Sequence, residues 1–142
     1  MMDKYKLNAE KSKEVYNKNK IAYRMKECYI NVFHATYNNM DKVKTGKWKI
    51  AYGYISSIQN LLVRHCFIID ENDMVIDPTI YATNLEHKED SDYYVMYVFD
   101  NIEEYFYAIE SENGYPSLDR YLVEYTKQVT KWSMKNGFLL VG

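Results

Sequence analysis

The segment from Val63 to Thr79 constrains the fold of this chain more than any other part of the sequence. It consists of an apolar run, Val63-Arg64-His65-Cys66-Phe67-Ile68-Ile69, then the polar residues Asp70-Glu71-Asn72-Asp73, and then Met74-Val75-Ile76-Asp77-Pro78-Thr79. Two short apolar runs on either side of a polar turn that contains Asp and Asn predict a β-hairpin. The first strand of this hairpin carries a histidine, and the second ends at an aspartate.

The length of the hairpin loop decides whether His65 and Asp77 lie on the same face of the sheet. Side chains alternate between the two faces of a strand, so a register change of one residue moves a side chain to the opposite face. An even-numbered loop, Asp70 to Asp73 or Glu71 and Asn72 alone, places His65 opposite Pro78 and turns Asp77 away. A three-residue loop, Glu71 to Asp73, places His65 opposite Thr79 and Asp77 on the histidine's face. Cooperation of the two side chains therefore requires the three-residue loop, or a bulge that has the same effect.

Cys28 adds a third group of the kind that nucleophilic catalysis needs. Apolar residues at helical spacing predict a helix over about 27–43, with Cys28 in its first turn. The helix dipole and a nearby imidazole both favour the thiolate, and a carboxylate that bonds the imidazole fixes its tautomer. The sequence thus indicates Cys28, His65 and Asp77 as catalytic residues. Taken alone, Cys28 is more typical of a buried packing residue, and only its combination with the histidine and aspartate strands indicates a nucleophile. Cys66 must point to the face opposite His65, where we expect a small buried apolar side chain.

The order of these motifs resembles the core of the transglutaminase-like superfamily, which is part of the wider papain-like fold. The resemblance rests on the cysteine at a helix start, the strand Ala51-Tyr52-Gly53-Tyr54-Ile55, the histidine strand, and Val75-Ile76-Asp77-Pro78-Thr79. It covers roughly residues 27–79, a little over a third of the chain. The resemblance implies that Cys28 attacks an acyl group, that His65 is the base and that Asp77 orients it.

The remaining sequence pattern predicts a single α+β domain over 1–142, an antiparallel sheet packed against helices with its core at about 27–100. We expect helices over 8–20, 27–43 and 101–110, and a last helix that begins at 117 and ends at about 135 or 136. We expect strands over 48–55, 62–69, 74–77, 93–99 and 138–141.

Composition excludes several classes of protein. No apolar stretch approaches the length of a membrane span, the start of the chain lacks the apolar core of a signal peptide, and the net charge of −2 gives no reason to expect nucleic acid. We therefore expect a cytoplasmic protein that has no membrane or nucleic-acid partner. The excess of Lys over Arg, with abundant Asn, Ile and Tyr, suggests an AT-rich bacterial or phage genome. No metal-ligand spacing or phosphate-binding loop is present, so no cofactor is implied.

The first functional hypothesis is a cysteine-dependent acyl-transfer enzyme that acts on an amide in a protein or peptide. The alternatives of peptidase, amidase or deamidase, and transglutaminase stay open, because access of water decides between hydrolysis and transfer. The backbone N–H of Cys28 would meet the oxyanion with one further donor, for which the candidates are Asn19, Asn31, Tyr54 and Gln59. For substrate contact, the candidates are Tyr52, Tyr54 and Asn31.

The second hypothesis is a catalytically silent domain of the same fold that binds a protein or peptide. The sequence holds 16 tyrosines, and such a domain would bind its partner through a tyrosine-rich cleft. The residues Glu27 and Tyr29, which flank Cys28, favour this reading, because Gly and Trp are frequent at these positions in the family that the chain resembles. The sequence does not predict an oligomeric state.

Overall fold

A computed structural model of the chain describes residues 2–82 and 89–142. Its centre is a six-stranded sheet in which five strands follow the order β1-β5-β2-β3-β4 and β6 also pairs with β3. Neighbouring strands are antiparallel except for the parallel pair of β3 and β6. The strands are β1 (Asp3–Lys6), β2 (Lys49–Ser56), β3 (Leu61–Ile69), β4 (Val75–Ile76), β5 (Asp92–Phe99) and β6 (Leu139–Val141). The expected α+β class with a mainly antiparallel sheet is confirmed.

Five α-helices and two short 3₁₀ helices surround the sheet in the described part of the chain. The α-helices are α1 (Ala9–Lys18), α2 (Cys28–Asn38), α3 (Met40–Lys44), α4 (Ile102–Ser111) and α5 (Val123–Asn136), and the 3₁₀ helices are Lys20–Ala22 and Pro78–Ala82. The side chains of Asn8 and Asn101 cap α1 and α4 by accepting a backbone N–H of the first turn. Among the described residues, no helix is long and apolar enough to cross a membrane.

Two predicted helices differ from the observed ones for local reasons. The single helix predicted over 27–43 is divided between α2 and α3, because Asn39 has a non-helical backbone (φ −131°, ψ 41°). The helix start predicted at Ser117 is wrong, because Leu118 has a φ of 55° while its side chain is fully buried. The Glu112 carboxylate accepts the backbone N–H groups of Arg120 and Tyr121, and α5 begins only at Val123.

Gly53, in the centre of β2, is required by the close approach of β5. The pairing of these strands shifts between Tyr52 and Gly53, because Tyr52 faces Tyr97 and Gly53 faces Val95. A Cβ atom on Gly53 would lie 1.9 Å from the carbonyl oxygen of Tyr94. The glycine in the strand therefore has a structural cause, which is a bulge where the backbones come close.

The two faces of the sheet are buried against different elements. One face contributes Tyr52, Cys66 and Ile68 to a core that also contains residues of α2 and α4. The opposite face contributes Ala51, Phe67 and Tyr93 to a second cluster, together with Leu7 and Val75. His65 and Asp77 lie on this second face, which β1 and the start of α1 approach.

Candidate active site

The hairpin has the three-residue loop that the site requires. Ile69 pairs with Val75, and the backbone N–H of Asp70 donates to the Met74 carbonyl at 2.9 Å, which leaves only Glu71 to Asp73 in the loop. Asp73 occupies the left-handed region (φ 57°), which aspartate tolerates better than most residues. The three-residue loop predicted from the sequence is confirmed.

This register places the His65 imidazole against the Asp77 carboxylate. Nε2 of His65 lies 2.7 Å from Oδ2 of Asp77, and both side chains are buried. Oδ2 also accepts the Tyr93 hydroxyl at 2.7 Å, and Oδ1 accepts the backbone N–H of Thr79 at 3.1 Å. The backbone N–H of Asp77 donates to Oγ of Ser12 at 2.9 Å. The Asp77 carboxylate thus accepts hydrogen bonds from His65, Tyr93 and Thr79, which belong to three different elements. Because Nε2 of His65 is used in this way, Nδ1 is the imidazole nitrogen that is left to contact another partner.

Cys28 is the first residue of α2, and its thiol is close enough to the His65 imidazole to raise the pKa of that ring. It reaches the histidine where the outer edge of β3 is open: β6 pairs with Leu61 to Val63, and β4 pairs with Ile68 and Ile69. In the described part of the chain, no strand pairs with this edge over 64–67. The gap admits the start of α2, so the backbone N–H groups of its first turn lie beside the thiol.

Asn31 fixes the segment that leads into Cys28. Its Oδ1 accepts the backbone N–H of Arg24 at 3.0 Å, and its Nδ2 donates to the Arg24 carbonyl and to Oγ1 of Thr79. Lys26, between Arg24 and the helix, turns the chain with a φ of 64°. The amide of Asn31 therefore ties the loop before Cys28 to the turn after Asp77.

The charge state of His65 is set by its neighbours. Burial lowers the pKa of the imidazole, but the Asp77 carboxylate and the Cys28 thiol more than offset this, and together they raise the pKa of His65 to about 10. At neutral pH His65 is therefore an imidazolium, with a carboxylate on Nε2 and a cysteine nearby.

A cavity of about 200 Å³ opens at Cys28 and His65. It is lined by the chain before α2, the ends of β2 and β3, and the turn after Asp77: Lys26, Ile55, Ser56, Ser57, Val63, Arg64, Thr79 and Ile80. The cavity offers room for a small acyl group or a single side chain beside the sulfur.

The residues predicted to contact substrate lie elsewhere. Tyr52 and Tyr54 are buried on the face of β2 opposite the one that His65 shares, and the Tyr52 hydroxyl donates to the Pro116 carbonyl. Asn31 is fully buried, and both atoms of its amide are bonded within the protein. None of the three is among the residues that line the cavity. Their residue types suggested substrate contact, but their side chains are buried in the protein and do not reach the cavity.

The other candidates for an oxyanion donor, Asn19 and Gln59, do not line the cavity either. Asn19 ends α1 and lines a separate cavity with Val15 and Tyr23. Gln59 lies in the turn between β2 and β3 with a φ of 51°. Neither is among the residues that line the cavity at Cys28, where Ser56 and Ser57 are present.

The two cysteines differ in their environment. Both are free thiols, and Cys66 is fully buried on the face opposite His65, beside Tyr52. Burial raises the pKa of the Cys66 thiol well above its ordinary value. Cys66 is thus in the apolar environment expected from the sequence, whereas Cys28 lines the cavity.

Tyr93 and Ser12 support the site but were not indicated as such by the sequence. Tyr93 appeared there only as one of many tyrosines, and Ser12 as part of a polar helix. The one available signal for Tyr93 was its place on an apolar strand, because a buried tyrosine hydroxyl needs a partner.

Comparisons of this chain with protein-family models, with curated proteins and with solved structures returned no match. The geometry around Cys28, His65 and Asp77 is therefore what bears on the function of the chain.

Proposed function

We propose that this protein is a cysteine-dependent enzyme that transfers an acyl group from an amide through a thioester on Cys28. The observation that carries the proposal is the 2.7 Å contact of His65 Nε2 with Asp77 Oδ2, on an imidazole whose other neighbour is the first residue of a helix. Catalysis by a thiol needs these three roles: a nucleophile, an acid and base, and a group that orients the imidazole.

In the first half of the reaction, the Cys28 sulfur attacks the amide carbonyl carbon and forms a C–S bond. The carbonyl oxygen takes up the negative charge, and the backbone N–H groups at the start of α2 stabilise it. The tetrahedral intermediate then collapses: the C–N bond breaks, and the His65 imidazolium gives its proton to the leaving amine. The product of this half is a thioester on Cys28.

In the second half, neutral His65 takes a proton from a water molecule or from an acceptor amine. The oxygen or nitrogen attacks the thioester, the C–S bond breaks, and the sulfur leaves as thiolate beside the re-formed imidazolium. Asp77 holds the ring throughout and does not itself become protonated. Water gives an acid, which is the reaction of a peptidase, amidase or deamidase, whereas an amine gives a new amide, which is the reaction of a transglutaminase.

The alternative of a catalytically silent binding domain receives less support from the described residues. Such a domain would bind through exposed tyrosines, but Tyr52, Tyr54 and Tyr93 are almost fully buried. The cavity instead has a cysteine and a histidine among the residues that line it.

The test is to trap the acyl group. We would incubate the protein with a mixture of peptides and hydroxylamine and detect peptide hydroxamates by mass spectrometry. We expect hydroxamates with the native chain and with Cys66→Ala, and none with Cys28→Ala. Hydroxamates that persist in Cys28→Ala would overturn the proposal, as would their absence from the native chain over peptides that cover every amide-bearing side chain.

A further inference from the structure

Arg64 is a buried cation whose hydrogen-bonding capacity is mostly unused. It lines the cavity at Cys28, and only 8% of its surface is exposed. Nη1 donates to Oγ1 of Thr126 over a long 3.5 Å, and the guanidinium carbon lies 5.9 Å from the centre of the Tyr54 ring. Nε and Nη2 are buried without a hydrogen-bond partner. Within residues 2–82 and 89–142, no carboxylate forms an ion pair with Arg64.

The two free nitrogens are the pair that an anion would use. In a guanidinium group, the N–H bonds of Nε and Nη2 run side by side along one edge and form a fork for two parallel hydrogen bonds. This fork matches the two oxygens of a carboxylate. A buried charge without a counter-ion is costly, and removing water from unsatisfied N–H groups adds to the cost. The arrangement becomes favourable once an anion binds the free edge.

Arg64 also lies close to the start of α2. It directly precedes His65 in β3, so its side chain lies on the opposite face of the sheet, beside Tyr54 and on the face where Cys28 packs with Tyr52 and Cys66. The Arg64 guanidinium is close enough to Tyr29, the residue after Cys28, to oppose part of the increase that burial causes in the pKa of the Tyr29 hydroxyl. The unpaired Arg64 guanidinium therefore lies near the first turn of α2, which contains Cys28.

We propose that Arg64 forms an anion subsite beside Cys28, and that the substrate is an amide that carries a carboxylate. We choose a carboxylate because its two oxygens match the two parallel N–H bonds of the free guanidinium edge. The inference rests on the proposed function, because it assigns the substrate class of that same site.

The test compares two alkylating reagents that differ in charge. Iodoacetate carries a carboxylate and iodoacetamide is neutral, so the ratio of their rates at Cys28 reports on a nearby anion site. We expect Arg64→Met to lower this ratio about tenfold relative to the native chain, the value of one charged hydrogen-bonded contact. Arg64→Lys should keep part of the preference, because it keeps the charge. Lys26→Met, which removes a lysine that also lines the cavity, is the matched control and should change the ratio less.

Folding of the variant and binding of an anion provide an independent readout. Arg64→Met keeps a stem of similar length and removes an unpaired buried charge, so we expect a melting temperature at or above that of the native chain. Glutarate should raise the melting temperature of the native chain more than inorganic phosphate does, and the gain should disappear in Arg64→Met.

The outcomes separate the two proposals. An unchanged ratio of rates in Arg64→Met, or stabilisation by phosphate but not by glutarate, would overturn the carboxylate subsite. Failure of both reagents to label Cys28 would instead contradict the proposed function, and the glutarate measurement would then decide the subsite alone.

Discussion

Asp77 combines a catalytic arrangement with a structural one in a single carboxylate. Oδ2 bonds His65 and Tyr93, whereas Oδ1 caps the turn by accepting the N–H of Thr79. Because the two oxygens have different partners, one carboxylate can serve both roles at once. A substitution at Asp77 must therefore be compared with one that affects the hairpin alone.

Asp77→Asn should lower activity about 10³-fold or more, because the amide cannot accept from both His65 and Thr79 and favours the wrong imidazole tautomer. The matched control is Asp70→Asn: the Asp70 carboxylate accepts the N–H groups of Asn72 and Met74 in the same hairpin without contacting His65. The measurement is hydroxamate formation beside urea unfolding. Equal losses of activity in the two variants, each in proportion to lost stability, would mean that Asp77 serves only the turn.

At the scale of single residues, the sequence predicted the site best where the residue type and the alternation of side chains along a strand pointed to the same role. The proximity of Cys28, His65 and Asp77 could be predicted from the sequence, because a helix start and a hairpin register are local properties. The part played by Asn31 could not be predicted, because its bonds to Arg24 and Thr79 depend on how α2 docks. Arg64 gave no signal either, since a single charged residue in a strand usually reaches solvent.

At the scale of elements, the hairpin loop is the part that aligns the site. Its register makes Asp77 share a face with His65, and alternation of side chains leaves no tolerance for a one-residue shift. None of the loop residues, Glu71 to Asp73, lines the cavity at Cys28.

Deletion of Asn72 should therefore disconnect His65 from Asp77 without removing any residue of the site. A two-residue loop turns Asp77 toward the face of Cys66, and the pKa of His65 should fall from about 10 toward its ordinary value, as measured by NMR titration. Asp73→Gly is the control of unchanged length, because glycine readily adopts the left-handed backbone found there. A histidine titration that is identical in the deletion variant and the native chain would refute the role of the register.

Element boundaries were predictable where the pattern was strong and local. The predicted strands over 48–55, 62–69 and 93–99 match β2, β3 and β5 to within one residue at each end. The division of the predicted helix at Asn39 and the late start of α5 were missed, because both depend on single backbone angles fixed by tertiary contacts. β1 was also missed: its strand character comes from pairing with β5 rather than from an apolar pattern.

At the scale of the whole molecule, the sheet order brings distant parts of the chain to the site. β1 pairs with β5, and α1 follows with Ser12 bonded to the backbone of Asp77. The strand order was not predictable, because it depends on contacts between segments far apart in sequence. Because these distant segments meet around Asp77, the stability of the fold is sensitive to the charge of the buried His65 beside it.

The free energy of unfolding should decrease with pH because of His65. Its pKa is raised in the folded protein, so its stabilising contribution is complete below about pH 6.5 and is lost as the pH rises through about 10. Within this window the slope due to His65 is at most about 1.4 kcal/mol per pH unit. Urea unfolding from pH 6 to pH 9 should show this slope in the native chain and in His34→Gln, but not in His65→Gln. Parallel curves for all three proteins would contradict a raised pKa at His65.

The most direct test of the central claim is the reactivity of the two cysteines in the native protein. Iodoacetamide at pH 6, followed by peptide mapping, should label Cys28 and leave Cys66 unlabelled, because the thiolate is the reactive form and only Cys28 has an imidazolium beside it. His65→Gln should slow the labelling of Cys28 at least about tenfold, whereas His34→Gln should not change it. Preferential labelling of Cys66, or labelling of Cys28 at the same rate with and without His65, would contradict the assignment of Cys28 and His65 as a catalytic pair.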